Sequence, residues 1–432
     1  MTEPTQHGTT TDGRRQTRLV IYRGASDVAA KGVMFVVTVV AARWLPRPEF
    51  ALVALATTLG WLGAVAGDFG VQVHLARAVA QHPSAVSSLL AQWLPVRVLT
   101  SLIALACATV AILWLEPDRS AFAPMLVFCA AYAATGVGDC VYYVFRALDR
   151  SDLESTLTLV SRGLLLLLAP VAMWVHPTAL SMAFAMLAPA VGASVAAMVI
   201  ARRLSGHADA AWLWPTAATR RTFATSVGPI GLGALLSALY FRVDIFLLDH
   251  WGGASQVAMY NAVFRLVDAL RLFPAAVLAV ALPRLDTARS LDAVTRVGGP
   301  LTAAAIGAST VLWFVAPSLV PAVYGAGFAD GVAPFRVLLV ALPLMSLNAA
   351  LTHQLIGWHG HRTYAALCAA ALVSNLLLNW SLIPRFGATG SAWSTVWTEV
   401  VLCVGCVIAL ARAQRIHAVS LAGELPALEV RS

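Results

Sequence analysis

The chain has 432 residues, 59% hydrophobic and 12% charged, with a net charge of +8 and a mean hydropathy of +0.78. Soluble domains carry roughly 25% charged residues, so a water-soluble fold is excluded and a polytopic membrane protein is implied. The excess positive charge does not imply a nucleic-acid partner, because the arginines are scattered over short loops rather than gathered in a patch.

A spanning helix needs about 20 apolar residues, and roughly twelve such runs follow one another along the chain. They fall near 19–43, 48–69, 88–115, 122–147, 152–174, 178–203, 222–249, 255–281, 297–316, 332–357, 361–383 and 388–413. The 18 polar residues before the first run include Arg14, Arg15 and Arg18 and lack a small-residue cleavage site, so no secretion signal is expected. Turn-forming residues separate neighbouring runs: Pro46 and Pro48, Glu116 and Pro117, Pro177, Gly252 and Gly253, Gly325 and Gly327, and Pro384 with Gly387.

Orientation follows from arginine placement. With the N-terminus cytoplasmic, alternate loops hold Arg77; Arg146 and Arg150; Arg202, Arg203, Arg220 and Arg221; Arg284, Arg289 and Arg296; and Arg362. The opposite loops hold only Arg43, Arg47, Arg119 and Arg385. The bias predicts a multi-pass membrane protein with both termini inside. The expected organisation is a cytoplasmic tail over 1–18, a six-helix bundle over 19–203, a linker over 204–221, a second bundle over 222–413 and a tail over 414–432.

The bundles are repeats. Trp44-Leu45-Pro46-Arg47-Pro48-Glu49-Phe50-Ala51 aligns with Trp251 through Ala258, and the same offset carries each helix of the first half onto one of the second. Six is an even number, so the repeats share one topology and relate by an axis along the membrane normal, as in transporters whose sites lie between repeats. The expected fold class is therefore all-α and polytopic, with two pseudo-symmetric six-helix bundles.

Enzyme chemistry finds no constellation. Lys31 is the only lysine and follows no glycine-rich phosphate loop, which excludes ATP hydrolysis within the chain. Cys403-x-x-Cys406 lies mid-helix with no second ligand pair, so it reads as small buried hydrophobes. His359-x-His361, near His353, lacks acidic or cysteine co-ligands, and no metal or cofactor is expected.

Several motifs resemble those of a known family. Arg43-Trp44-Leu45-Pro46-Arg47-Pro48-Glu49-Phe50, Asp68-Phe69-Gly70 and Arg77-Ala78-Val79-Ala80 look like the N-terminal signature of bacterial polysaccharide exporters. These are the lipid-linked oligosaccharide flippases of the multidrug/oligosaccharidyl-lipid/polysaccharide exporter superfamily. Arg242-Val243-Asp244, Met259-Tyr260-Asn261-Ala262, Pro283-Arg284-Leu285, Tyr324-Gly325-x-x-Phe328 and Asn375-x-x-x-Asn379 with Leu382 through Gly390 are similar to its second half. Pro46 and Ala51 stand where the family usually has glycine. The resemblance implies outward flipping of a polyprenyl-pyrophosphate-linked glycan by alternating access, coupled to a proton or sodium gradient. It also implies membrane lipids, a polysaccharide polymerase and glycosyltransferases as partners.

Charges inside apolar segments mark the candidate site, since lipid-facing ions are costly. Arg23, Asp27 and Lys31 are spaced four apart, which stacks them on one helix face. That ladder is either a net-positive phosphate site or an Asp27–Lys31 helix bridge. Arg242 and Asp244, two apart, point to nearly opposite sides; Asp244 matches the family's aspartate, and Arg242 is near enough to the outer surface to snorkel. Asn261, Arg265 and Asp268 share a side, with Arg271 drifting off it. Arg97 and Arg162 add cationic positions, and Glu399 is either a proton site or a hydrogen-bonding acid. Asn375 and Asn379 read as interhelical hydrogen-bonding amides.

Within the resemblance, Arg23, Lys31, Arg97 and Arg265 would meet the pyrophosphate, and Asp27, Asp244, Asp268 or Glu399 would couple the ion. A drug/cation antiporter of the same superfamily would prefer an acidic, aromatic cavity. A non-transporting scaffold for glycan assembly would need no mid-membrane charge.

Overall fold

The computed structural model describes residues 9–115, 119–204, 215–271, 291–358 and 360–424, and every regular element among them is helical. Glu116, Pro117, Pro283 through Leu285, Arg289 and His359, singled out above, lie outside the described residues. In a bilayer each backbone polar group must be satisfied within the protein, which is why apolar runs become helices. The chain divides into two compact units, Met1–Gly231 and Leu232–Ser432.

In the first unit come α1 (Thr9–Trp44), α2 (Arg47–Asp68), α3 (Val71–Gln81), α4 (Val86–Leu115), α5 (Phe122–Ala147), α6 (Ser151–Val175) and α7 (Ala179–Leu204). α1 starts ten residues before the first apolar run, so helix extends into the polar N-terminal stretch. α2 packs on α5, α5 on α7 and α1 on α6.

α3 was not foreseen. Its 11 residues are about 16 Å long, too short to span. It buries Val71, Leu75 and Val79, spaced four apart on one face, against Val86, Trp93, Cys140 and Val144. The Asp68-Phe69-Gly70 motif builds its entry. Phe69 and Gly70 are left-handed, with φ of 39° and 86°. Asp68 accepts hydrogen bonds from the Gly70 N–H at 3.2 Å and the Gln72 N–H at 3.1 Å, supplying acceptors to α3's first turn. Gly70 is doubly required, because a Cβ there would come within 2.9 Å of the Gly231 nitrogen.

The other apolar runs form Leu291–Tyr324, Val332–Gly357 and two segments far too long for one crossing, Ala217–Leu270 with 54 residues and His361–Arg415 with 55. Each long segment breaks at a glycine outside helical geometry, Gly253 (φ 71°) and Gly387 (φ 56°). Side-chain contacts fold both into hairpins. Phe241 meets Phe264 at 5.3 Å across the first break, and a Cβ on Gly390 would strike the Leu382 carbonyl across the second. The limbs are α8 (217–252) and α9 (254–270), then α10 (Leu291–Tyr324), α11 (Val332–Gly357), α12 (361–386) and α13 (388–424). Helix therefore continues past residue 413 into the expected C-terminal tail.

One contact repeats in both units. Glu49, in the first turn of α2, accepts a hydrogen bond from the Ala179 N–H at 2.6 Å, capping α7. Gln256, in the first turn of α9, accepts one from the Ala388 N–H at 3.1 Å, capping α13. Glu49 and Gln256 are the positions that the sequence repeat aligns. Both satisfy an orphan N–H at a helix start.

Candidate functional site

In the first unit a cavity of about 300 Å³ opens among α1, α3, α5 and α6. Helical spacing explains the lining: Asp27, Lys31 and Met34 from α1, Asp139, Tyr142 and Arg146 from α5, and Glu154, Thr158 and Arg162 from α6 each recur every three or four residues. Gln72 of α3 completes it. The cavity is in the size range of small-molecule sites.

Its charges divide into fixed and free groups. Arg146 grips Glu154 through two hydrogen bonds of 2.8 and 2.6 Å, a bidentate pair. Arg23 approaches the same carboxylate at 3.8 Å, so its partner comes from α6 rather than from its own helix. Asp27, Lys31 and Asp139 make no hydrogen bond or ion pair among the described residues, and Arg162 only approaches the Met34 sulfur at 3.4 Å. The Asp27–Lys31 bridge weighed from the sequence is therefore not formed. Three bases face three acids, so the lining is charge-balanced, unlike the net-cationic ladder read from α1 alone.

Arg97 lies elsewhere. It is 1% exposed and its Nε donates to the Gly136 carbonyl at 3.2 Å and stands 4.0 Å from Asp68. Two glycines make the room. A Cβ on Gly136 would overlap Arg97 Nη2, and one on Gly67 would come within 3.0 Å of Nη1. The guanidinium ties α4 to α5 and to the α2–α3 turn.

In the second unit Asp244 is fully enclosed. Its Oδ2 accepts from the Tyr260 hydroxyl at 2.5 Å and the Ser391 hydroxyl at 2.9 Å, while its Oδ1 is buried without a partner. Thr395 lies 3.4 Å from the same tyrosine oxygen. Arg242 turns the other way, donating to Asn261 at 3.1 Å and stacking 4.5 Å over Phe264. It is 4% exposed, so it is held by α9 instead of reaching the outer surface.

Asp268 sits between Arg265 and Arg271, 3.6 Å from each, and Arg271 also covers Phe241 at 4.2 Å. Glu399, 3% exposed, accepts from the Asn348 amide at 2.6 Å. Asn375 donates to Thr398 of the neighbouring limb at 3.3 Å, whereas Asn379 donates back to Asn375.

The structure thus brings Asp27 and Lys31 together with Arg162, pairs Arg23, Arg265 and Asp268 with other charges, and encloses Arg97, Asp244 and Glu399. Asp139, Glu154, Ser391 and Asn348 were not weighed from the sequence. Asp139 carried a usable signal, being an acid inside the apolar run 122–147. Among the described residues no group of three His, Cys, Asp or Glu side chains is arranged to hold a metal.

Comparison with known proteins matches the profile of the family described as polysaccharide biosynthesis protein to residues 17–288. No curated protein sequence matches significantly. Among solved structures, a multidrug resistance MATE family transporter of the MOP superfamily in an inward-facing conformation aligns over 92% of this chain and 96% of its own, with TM-score 0.69 and 15% identity. The lipid II flippase MurJ in an inward closed conformation aligns over 90% and 87%, with TM-score 0.66 and 11% identity. The Vibrio cholerae MATE transporter VcmN aligns over 95% and 98%, with TM-score 0.58 and 16% identity. At these identities the likeness is one of fold.

Proposed function

The chain belongs to the polysaccharide biosynthesis protein family, and on that premise we propose that it flips a polyprenyl-pyrophosphate-linked oligosaccharide outward across the plasma membrane. The observation that carries this reading is the pair Lys31 and Arg162, two cations without an ion-pair partner among the described residues, facing a cavity of about 300 Å³. An intramembrane cation left unpaired is costly, and a diphosphate supplies oxygens for both. The glycan occupies the aqueous side of the cavity and the polyprenyl tail stays in lipid.

Of the cations proposed to meet the headgroup, Lys31 acts directly from the cavity, while Arg265 is held beside Asp268 in the second unit. Arg23 and Arg97 act through Glu154 and Asp68, which they hold. Movement of 19–203 against 222–413 exchanges access. Asp244 is the favoured coupling group, because its unpartnered Oδ1, next to Ser391 and Tyr260, suits a proton or sodium ion. Asp27 is a second candidate, and Asp268 and Glu399 rank below because arginines and Asn348 already engage them.

An inside location of both termini is supported by the arginine bias of the loops. Polysaccharide polymerase and glycosyltransferases are the expected partners.

Complementation of a strain blocked in glycan-lipid export tests the reading. Wild type restores surface polysaccharide and Lys31→Ala does not while accumulating normally; equal restoration by both refutes the site. A second reading, organic-cation antiport, draws on Asp27, Asp139 and Tyr142 in the same cavity. It predicts dye efflux in place of polysaccharide export.

A further inference from the structure

We propose that Asp139 is an internal counter-anion that occupies the cations of the cavity when it is empty and must yield them to the arriving diphosphate. The inference rests on the diphosphate reading above and adds a residue that limits affinity. Asp139 reaches the cavity from α5, opposite Lys31 of α1 and Arg162 of α6.

The charge count gives the logic. With Arg146 and Glu154 consumed by one another, two cations, Lys31 and Arg162, remain against two carboxylates, Asp27 and Asp139. The carboxylates neutralise the empty cavity without fixed contacts, so neither holds its cation by a hydrogen bond that cargo would have to break. A guanidinium offers five N–H donors, and the Arg162 contact with the Met34 sulfur uses one. A diphosphate entering takes the remaining donors, and Asp139 then repels it at close range.

Repulsion has a transport use. A carrier must bind its cargo well enough to admit it and weakly enough to release it. A cavity of cations alone would retain a diphosphate, whereas a neighbouring carboxylate that returns to Arg162 promotes departure. Asp27 is not an equivalent candidate, since it shares α1 with Lys31 and moves with it.

The test measures binding of UDP-glucose, a soluble diphosphate diester, to the full-length protein in nanodiscs by calorimetry at neutral pH and low salt. Asp139→Asn is expected to tighten binding by about tenfold, because Arg162 is then no longer shared with an internal carboxylate. In an Arg162→Gln background the same substitution is expected to change binding less than twofold, about the limit for uncoupled sites. Asp139→Ala, expected to tighten binding similarly, serves if the asparagine variant does not fold. Unchanged or weakened binding by a folded Asp139 variant overturns the inference, as does a tenfold gain that persists without Arg162. Absence of saturable binding in wild type, Lys31→Ala and Asp139→Asn alike overturns the diphosphate reading and this inference with it.

Discussion

Gly136→Ala isolates what Arg97 does. The new methyl group would occupy the position of Arg97 Nη2, and the guanidinium is 1% exposed with backbone on either side, so it cannot slide away into water. Leaving the slot forfeits the charge-assisted hydrogen bond to the Gly136 carbonyl, worth about 1.5–3 kcal/mol. It also separates Arg97 from Asp68, and breaking a buried charged cluster costs about 3–5 kcal/mol in all. For a unit of about 200 residues each kcal/mol moves the melting temperature by about 2–4 °C, so a fall near 10 °C is expected. Thermal unfolding followed by tryptophan fluorescence in detergent measures it. Adding Arg97→Met together with Asp68→Asn should recover most of the loss, because replacing both members of a buried charge pair costs little while the asparagine still offers an oxygen to the α3 entry. An unchanged melting temperature, or a fall that this pair of substitutions does not rescue, refutes the slot.

The matched caps should behave alike. Glu49→Ala and Gln256→Ala should each cost about 1 kcal/mol, read as a drop of a few degrees in melting temperature, and the double variant should be additive. Asp244→Asn keeps the size of the side chain but removes its charge; it should leave accumulation intact while abolishing the dependence of polysaccharide export on an imposed ion gradient. His74 lies outside the spanning segments, where burial and Arg77 hold its imidazole below the usual value of 6.5. As pH falls below that value the unfolded chain binds a proton first, so stability declines. His74→Phe, which keeps a ring against Trp93, should flatten that part of a melting-versus-pH curve.

The helices were legible because a bilayer leaves few alternatives to an apolar helix, and even the breaks at Gly253 and Gly387 were marked by turn residues. The Glu49–Gln256 equivalence could be aligned in sequence, yet its meaning depended on Ala179 and Ala388, over 100 positions away. α3 was missed because eleven residues with one buried stripe resemble a polar loop when only long runs are sought. Site residues were read least well where a charge found its partner on another helix. Arg23, Asp27 and Lys31 do share a face, but Glu154 captures Arg23, and Asp27 and Lys31 line a cavity with Asp139 and Arg162. Arg97 obeyed the same rule of intramembrane charge as Lys31, and only Gly67 and Gly136, small residues on two other helices, distinguish a packed guanidinium from one facing a cavity.

The central claim is tested most directly by flipping itself. Purified protein is reconstituted into vesicles containing a polyprenyl-pyrophosphate oligosaccharide, and the glycan reaching the opposite leaflet is scored by a lectin that cannot cross. Wild type should move the glycan lipid and folded Lys31→Ala should not. Equal movement by both, or none by wild type under an imposed gradient, would contradict the account.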